Sequence, residues 1–258
     1  MKRYDLIDTL RGLAVISMIG FHACWIMSYF GLGIPQEALF GTGFTVWERT
    51  ICISFITIAG FSFSYGRRHV RSGLILLGAG FVITAVTCLI VPDIKIIFGI
   101  LTFLGTATFL MIPIDKAVRN KYGEAQGHTK KTDIAFFILC LALYVLTYGI
   151  NKGYLGIRQI FPVMLPRGLY RGYIATFLGF MDPGFYSSDY FSIMPWFFLY
   201  LSGYFLHRIT GRTKAGESLL TRGIPGIKMI GRHSLIIYIV HPVVLFFIVW
   251  IWVRLFAN

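Results

Sequence analysis

Long apolar runs alternate with short polar connections along the chain, and the runs have the length that a bilayer demands. A helix needs about 20 apolar residues to cross roughly 30 Å of hydrocarbon. Stretches of that kind lie at about 8–30, 47–66, 72–91, 95–114, 133–150, 189–207 and 232–253. The pattern predicts an all-α, polytopic integral membrane bundle of about seven transmembrane helices, forming one domain over residues 1–258. The stretch "RGYIATFLGFMDPG" at 171–184 holds only about ten apolar residues between Arg171 and Asp182, which suits a short re-entrant or interfacial segment. The whole connection of about 151–188 is rich in Gly, Pro, Arg and aromatics, and loops of that length are often functional. "KYGEAQGHTKK" at 121–131 reads as a solvated linker.

Composition supports the membrane class. Hydrophobic residues make up 56% of the chain and charged residues 14%, with a mean hydropathy of +0.72, too apolar for a soluble domain of this size. The formal net charge of +13 does not point to nucleic acid, because the basic residues fall in short clusters between apolar runs. They read as topology signals. With seven crossings and the N-terminus cytoplasmic, Lys2 and Arg3, Arg67 to Arg71, Lys116 to Lys131 and Arg208 to Arg232 place sixteen basic residues inside against six outside. The expected home is a bacterial cytoplasmic membrane. Lys2 and Arg3 precede an apolar run as in a signal peptide, but Asp8 and Arg11 intrude without a small-residue cleavage pattern, so the segment is expected to be retained. Cys24, Cys52, Cys88 and Cys140 are isolated in apolar segments and are expected to be reduced thiols.

Ionisable residues inside the runs are the candidates for chemistry, since a charge at membrane depth costs a few kcal/mol. Asp8, Arg11, Val15, Met18 and His22 share one helix face, and the rise from Arg11 to His22 is about 16 Å. Arg11 can reach the inner surface and pair with Asp8, while His22 lies near the midplane. The bland alternative makes Arg11 a topology anchor and His22 a donor between helices. In the last run Ser234, Tyr238 and His241 share a face and Pro242 follows, where a missing N–H breaks the helical ladder; a neutral histidine completing a helix contact is an equal reading. Glu48 and Arg49 begin the second run as either an interfacial ion pair or acceptor contacts. There is no phosphate-binding glycine loop and no metal-ligand spacing. Histidine remains, and an imidazole that titrates near neutrality suits acyl transfer, as general base or acyl carrier.

Four stretches resemble the catalytic domain of the heparan-alpha-glucosaminide N-acetyltransferase family and its bacterial relatives, within the membrane acyltransferase group. They are "IDTLRGLAVISMIGFH" (7–22), "ISFITIAGFSFSYGRR" (53–68), "IIFGILTFLGTATFL" (96–110) and "GRHSLIIYIVHP" (231–242). The pattern in "DYFSIMPWFFLYLSGYFL" (189–206) is similar as well. The resemblance implies a transferase that moves an acetyl or other acyl group from cytoplasmic acyl-coenzyme A to a hydroxyl or amine, often of a sugar on the far side, without a metal. Carried over by position, His22 closes the first motif as the catalytic candidate; Arg11 and Asp8, on its helix face, and His241 join it as ionisable residues within the runs. The cytoplasmic Arg67, Arg68, Arg71, Arg208 and Arg212 could hold the phosphates of the donor, with Ser234 and Tyr238 beside it, although topology alone explains any one of these arginines; Glu48, Arg49, Asp189 and Trp196 are the acceptor candidates. Relatives commonly have a polar residue such as His where this chain has Thr102, and the sugar-amine transferases place their histidine slightly later than His22. A covalent acyl-histidine and direct transfer with His22 as base both stay open. The chain is shorter than many relatives, so accessory helices or a lumenal domain are expected to be absent. Lipid, the thioester and a carbohydrate are the expected partners, nucleic acid is not, and the reading allows a homo-oligomer. Two other classes compete: a proton-coupled membrane transporter, which would use intramembrane His and Arg as a relay, and a non-catalytic scaffold. Transporters commonly show paired broken helices, and only one is visible, at Pro242.

Overall fold

The computed structural model describes residues 4–122, 130–211 and 213–256. Among these, eleven α-helices account for most of the chain and the only strands form one two-residue hairpin. The chain divides into two compact units, residues 1–58 with 214–258, and residues 59–213. Helix α3 (Thr42–Phe63) contributes to both.

The first unit contains α1 (Asp5–Tyr29), the one-turn α2 (Gln36–Leu39), the start of α3, α9 (Lys214–Leu220), α10 (Pro225–Arg232) and α11 (Ser234–Phe256). Asp5 and Asp8 stand in the first turn of α1, where carboxylates complement the helix dipole. Helix α10 starts with Pro225 at its first turn and lies against α1 so closely that both backbones touch. A Cβ on Gly231 would fall inside the carbonyl oxygen of Asp8, and one on Gly12 inside that of Ile227. Small residues at such crossings let helices approach and pack without a hydrophobic drive. Further along α1, Val15 and Met18 form a buried cluster with Ile51 of α3, and Ile230, Ile237 and Tyr238 pack on it. Trp47 closes the layer by donating its indole N–H to Ser17 Oγ at 2.8 Å.

The second unit contains the end of α3, α4 (His69–Ile90), α5 (Ile100–Tyr122), α6 (Lys130–Thr147), α7 (Gly172–Leu178) and α8 (Ile193–Thr210). Helices α4 and α5 pair, with Thr102 seated against Gly80, where an added Cβ would lie 2.6 Å from Thr102 Oγ1. Helix α5 runs eight residues past its expected end. Asp115 and Arg119, at i and i+4, hold that last part together at 2.8 Å, and Tyr204 donates its hydroxyl to Asp115 at 2.7 Å.

Six helices, α1, α3, α4, α5, α6 and α11, are long and apolar enough to cross a membrane, and the protein is an integral membrane protein. The stretch expected as a further crossing at 189–207 forms α8, which differs in character. More than half of its residues are buried, including His207 and Arg208, because it packs along α6 inside the unit. Met194 breaks the helical backbone (φ −91°, ψ 134°), so the regular part of α8 runs from Pro195 to Thr210, a rise of about 24 Å that faces protein.

Helix α7 has seven residues, a rise of about 10 Å, and cannot span a bilayer. The segment around it is nonetheless well tied. Asp182 accepts the N–H of Gly172 at 2.7 Å and of Gly184 at 2.9 Å, and these two bonds hold its carboxyl below the usual carboxylate range. Tyr190 donates to the Thr176 carbonyl at 2.6 Å, and burial pushes its phenol up to about 12. A carboxylate with a lowered folded pKa stabilises fully above its unfolded pKa and loses that contribution only as pH falls through the folded value. Cleavage around 171–184 in limited proteolysis should therefore stay slow at pH 5 and quicken only below about pH 4, while Asp182→Asn should be cut several-fold faster at neutral pH.

Candidate functional site

The candidate site lies in the first unit, on α1 and α11. Helix α11 is apolar on every side, and its single buried residue among those described is His241. A polar side chain that is the one fully buried group described on an apolar helix needs a partner. It has one in His22: Nε2 of His241 lies 3.0 Å from Nδ1 of His22, with ring centroids 4.8 Å apart. Residues 219 apart in sequence are thus brought into hydrogen-bond contact.

Backbone carbonyls hold both rings. His22 Nδ1 is 3.0 Å from the carbonyl of Met18, one turn earlier on α1. His241 Nδ1 is 3.0 Å from the carbonyl of Ile237 and 2.8 Å from that of Tyr238. The second of these contacts follows from Pro242. A residue at 242 with an N–H would donate it to Tyr238, four positions back, and proline has none. The vacated carbonyl is the one His241 takes. Phe21 packs edge-on against the His22 ring at 5.8 Å, and Tyr238 lies 6.0 Å from that of His241. Nε2 of His22 takes no hydrogen bond among the described residues, and the ring is only part-buried.

A second constellation occupies the start of α1. Asp8 pairs with Arg11 at 3.2 Å, as the i,i+3 spacing predicts, and also with Arg232 of α10 at 3.3 Å. Asp5 pairs with Arg232 at 3.0 Å and with Lys228 at 2.6 Å. Lys228 and Arg232 read in sequence only as topology charges; their docking on α1 was not visible there. Asp8 and Arg11 thus belong to a network that fastens α10 to α1, more than ten residues along the helix from His22.

The remaining candidates separate by unit. Ser234 begins α11 and Tyr238 packs on the Val15 cluster, both in the first unit, as are part-buried Glu48 and Arg49. Arg67, Arg68 and Arg71 are exposed around the start of α4 in the second unit. Arg208 is not exposed with them: its Nε meets Asp133 at 2.7 Å with both side chains buried, and its terminal nitrogens have no acceptor among the described residues. Asp189 accepts the N–H of Ile100 at 3.1 Å, capping α5, and Trp196 is 2% exposed, packed between Phe191 and Tyr144. Both belong to the second unit, Asp189 part-exposed and Trp196 buried. Arg212 lies outside the described residues, as do Lys2, Arg3 and the centre of the 121–131 linker.

A family model described as heparan-alpha-glucosaminide N-acetyltransferase, catalytic, matches residues 3–243. The chain belongs to this family. Comparison with curated proteins and with solved structures returned no match. The matched region of this N-acetyltransferase family member includes both helices of the histidine pair as far as His241 and Pro242, along with all of α10. Family and fold together describe a membrane-embedded acetyltransferase. Among the described residues no three His, Cys, Asp or Glu side chains converge as metal ligands.

Proposed function

We propose that the protein transfers an acetyl group from acetyl-coenzyme A, or a closely related acyl-coenzyme A, to a hydroxyl or amine of a sugar acceptor, with His22 as general base. One observation carries the reading: the only buried residue described on α11 is a histidine bonded to a histidine near the middle of α1. A base must lie within hydrogen-bond reach of the proton it takes, and His22 Nε2 is the nitrogen of the pair left open to do so. With α8 counted as a crossing, the sequence divides its loop basic residues sixteen to six, a bias that supports a cytoplasmic N-terminus in a bacterial inner membrane. A thioester then enters from the cytoplasm and the acceptor from outside. The test is purified protein incubated with labelled acetyl-coenzyme A and a panel of amino sugars and glycans, reading thiol release and label on the acceptor. Turnover in this assay without any ion gradient separates the reaction from proton-coupled transport, and label retained on protein would mark an acyl-histidine.

For the donor, the exposed Arg67, Arg68 and Arg71 are the guanidinium groups suited to coenzyme A phosphates, while Arg208 is committed to Asp133. Arg67→Gln with Arg68→Gln is expected to raise KM for acetyl-coenzyme A about tenfold while leaving kcat near normal, the mark of lost uniform binding. An unchanged KM would move the donor site elsewhere.

A further inference from the structure

The hydrogen bonds around the histidine pair fix where the protons sit. Each imidazole nitrogen has one in-plane position, filled by a proton or a lone pair, and a carbonyl oxygen only accepts. His241 Nδ1 faces two carbonyls, of Tyr238 and Ile237, so it holds the ring proton. Nε2 of neutral His241 is then a lone pair, aimed at His22 Nδ1 from 3.0 Å. That same Nδ1 faces the Met18 carbonyl at 3.0 Å. A proton on His22 Nδ1, shared between the carbonyl and Nε2 of His241, satisfies both acceptors. A lone pair there would oppose the carbonyl oxygen and require a charged His241.

We propose that His241 is a positioning residue for acyl transfer: anchored on the carbonyl that Pro242 leaves free, it accepts the Nδ1–H of His22 and keeps Nε2 of His22 as the bare, basic nitrogen. This rests on the acetyl-transfer reading and adds a division of labour within it. The acceptor's amine or hydroxyl attacks the thioester carbonyl carbon while Nε2 of His22 takes its proton. The tetrahedral adduct collapses with cleavage of the C–S bond, and the imidazolium returns that proton to the leaving sulfur. Acetylated acceptor and free coenzyme A thiol are formed, and His22 is restored. Throughout, His22 Nδ1–H keeps donating to His241, so the pair stabilises the imidazolium without rearranging. A nucleophile's base oriented by a third group is a general device, here made from two imidazoles and a proline.

The tautomer is measurable on the whole protein in nanodiscs, with ring-15N histidine and long-range 1H–15N correlation. The expected wild-type signal for His22 is protonated Nδ1 with bare Nε2. In His241→Leu only the Met18 carbonyl still accepts that proton, so the Nε2-protonated tautomer should appear beside the first, while His241→Gln, whose amide oxygen can accept the same proton, should retain the wild-type signal. A wild-type His22 protonated on Nε2, or a tautomer unmoved by His241→Leu, would overturn the proposal. In turnover, His241→Leu should lose about a hundredfold in kcat with KM for acetyl-coenzyme A nearly unchanged, and His241→Gln should recover at least about tenfold of the loss. Equal losses in both variants would assign His241 to packing alone and overturn the positioning role. Should His241→Leu fail to fold, Pro242→Ala supplies the second route. Its new N–H competes for the Tyr238 carbonyl and leaves the Ile237 carbonyl as the remaining acceptor for His241 Nδ1, so the Nδ1-protonated share of His22 should fall, and an unchanged spectrum would overturn the anchor assigned to Pro242. Should the wild type acetylate no acceptor at all, the proposed reaction falls, while the tautomer spectra still decide the pairing.

Discussion

His22→Gln is expected to fold and to bind coenzyme A, yet to lose acetyl transfer by at least about a hundredfold, the usual scale for removing a general base. Glutamine keeps the bulk of the ring and can still donate an N–H toward the Met18 carbonyl or His241 Nε2. It lacks only a nitrogen that can take a proton at neutral pH. A histidine that merely packed helices together would tolerate the change. Wild-type activity should also fall on the acid side, as the imidazole gains its second proton and ceases to be a base. Single-turnover measurements at several pH values, run beside a coenzyme A binding isotherm for the variant, check both statements. Near-normal turnover in His22→Gln would remove His22 from the reaction.

The second large effect is on the fold. Gly231→Ala places a methyl group where the carbonyl oxygen of Asp8 already lies, so α10 must leave α1 or both backbones must shift. Overpacking a tight contact costs about 1–3 kcal/mol when side chains can yield, and here the obstacle is backbone, so a loss of at least about 2 kcal/mol is expected. The same movement would pull Arg232 from Asp5 and Asp8. Thermal denaturation of the detergent-solubilised protein, followed by size-exclusion chromatography, should show a clear drop in midpoint. Gly226→Ala, at a position of α10 where a Cβ meets nothing within 4 Å, should show almost none.

Much of this architecture was legible in the apolar runs, and its failures have physical causes. Length and hydropathy predict α1, α3, α4, α5, α6 and α11 because a membrane-crossing helix is defined by its own residues. They also expose 171–184 as too short. The run at 189–207 looks like a crossing by length, but α8 falls short of the other six in apolarity, and its polar tail is the clue, since Arg208 needs Asp133 as a partner. Nor do they reveal α10. Its eight residues are too few to span, and its charges match the positive-inside pattern whether or not they meet Asp5 and Asp8. For the site, the chain singled out both His22 and His241 from their apolar settings. Their direct bond was hidden, because helical periodicity tells which residues share a face and nothing of what that face meets.

The construction of the first unit from both ends of the chain has a consequence for biosynthesis. During translation α1 is made before Asp5, Asp8 and His22 can meet their partners on α10 and α11, and the whole second unit is made before those helices appear. Contacts that join residues more than 200 positions apart form late and slowly. Until then the first helix is an incompletely paired segment, open to insertase and quality-control factors that recognise intramembrane polar groups. The histidine pair is closed only by α11, so a ribosome-bound nascent chain that stops short of that helix holds His22 without His241.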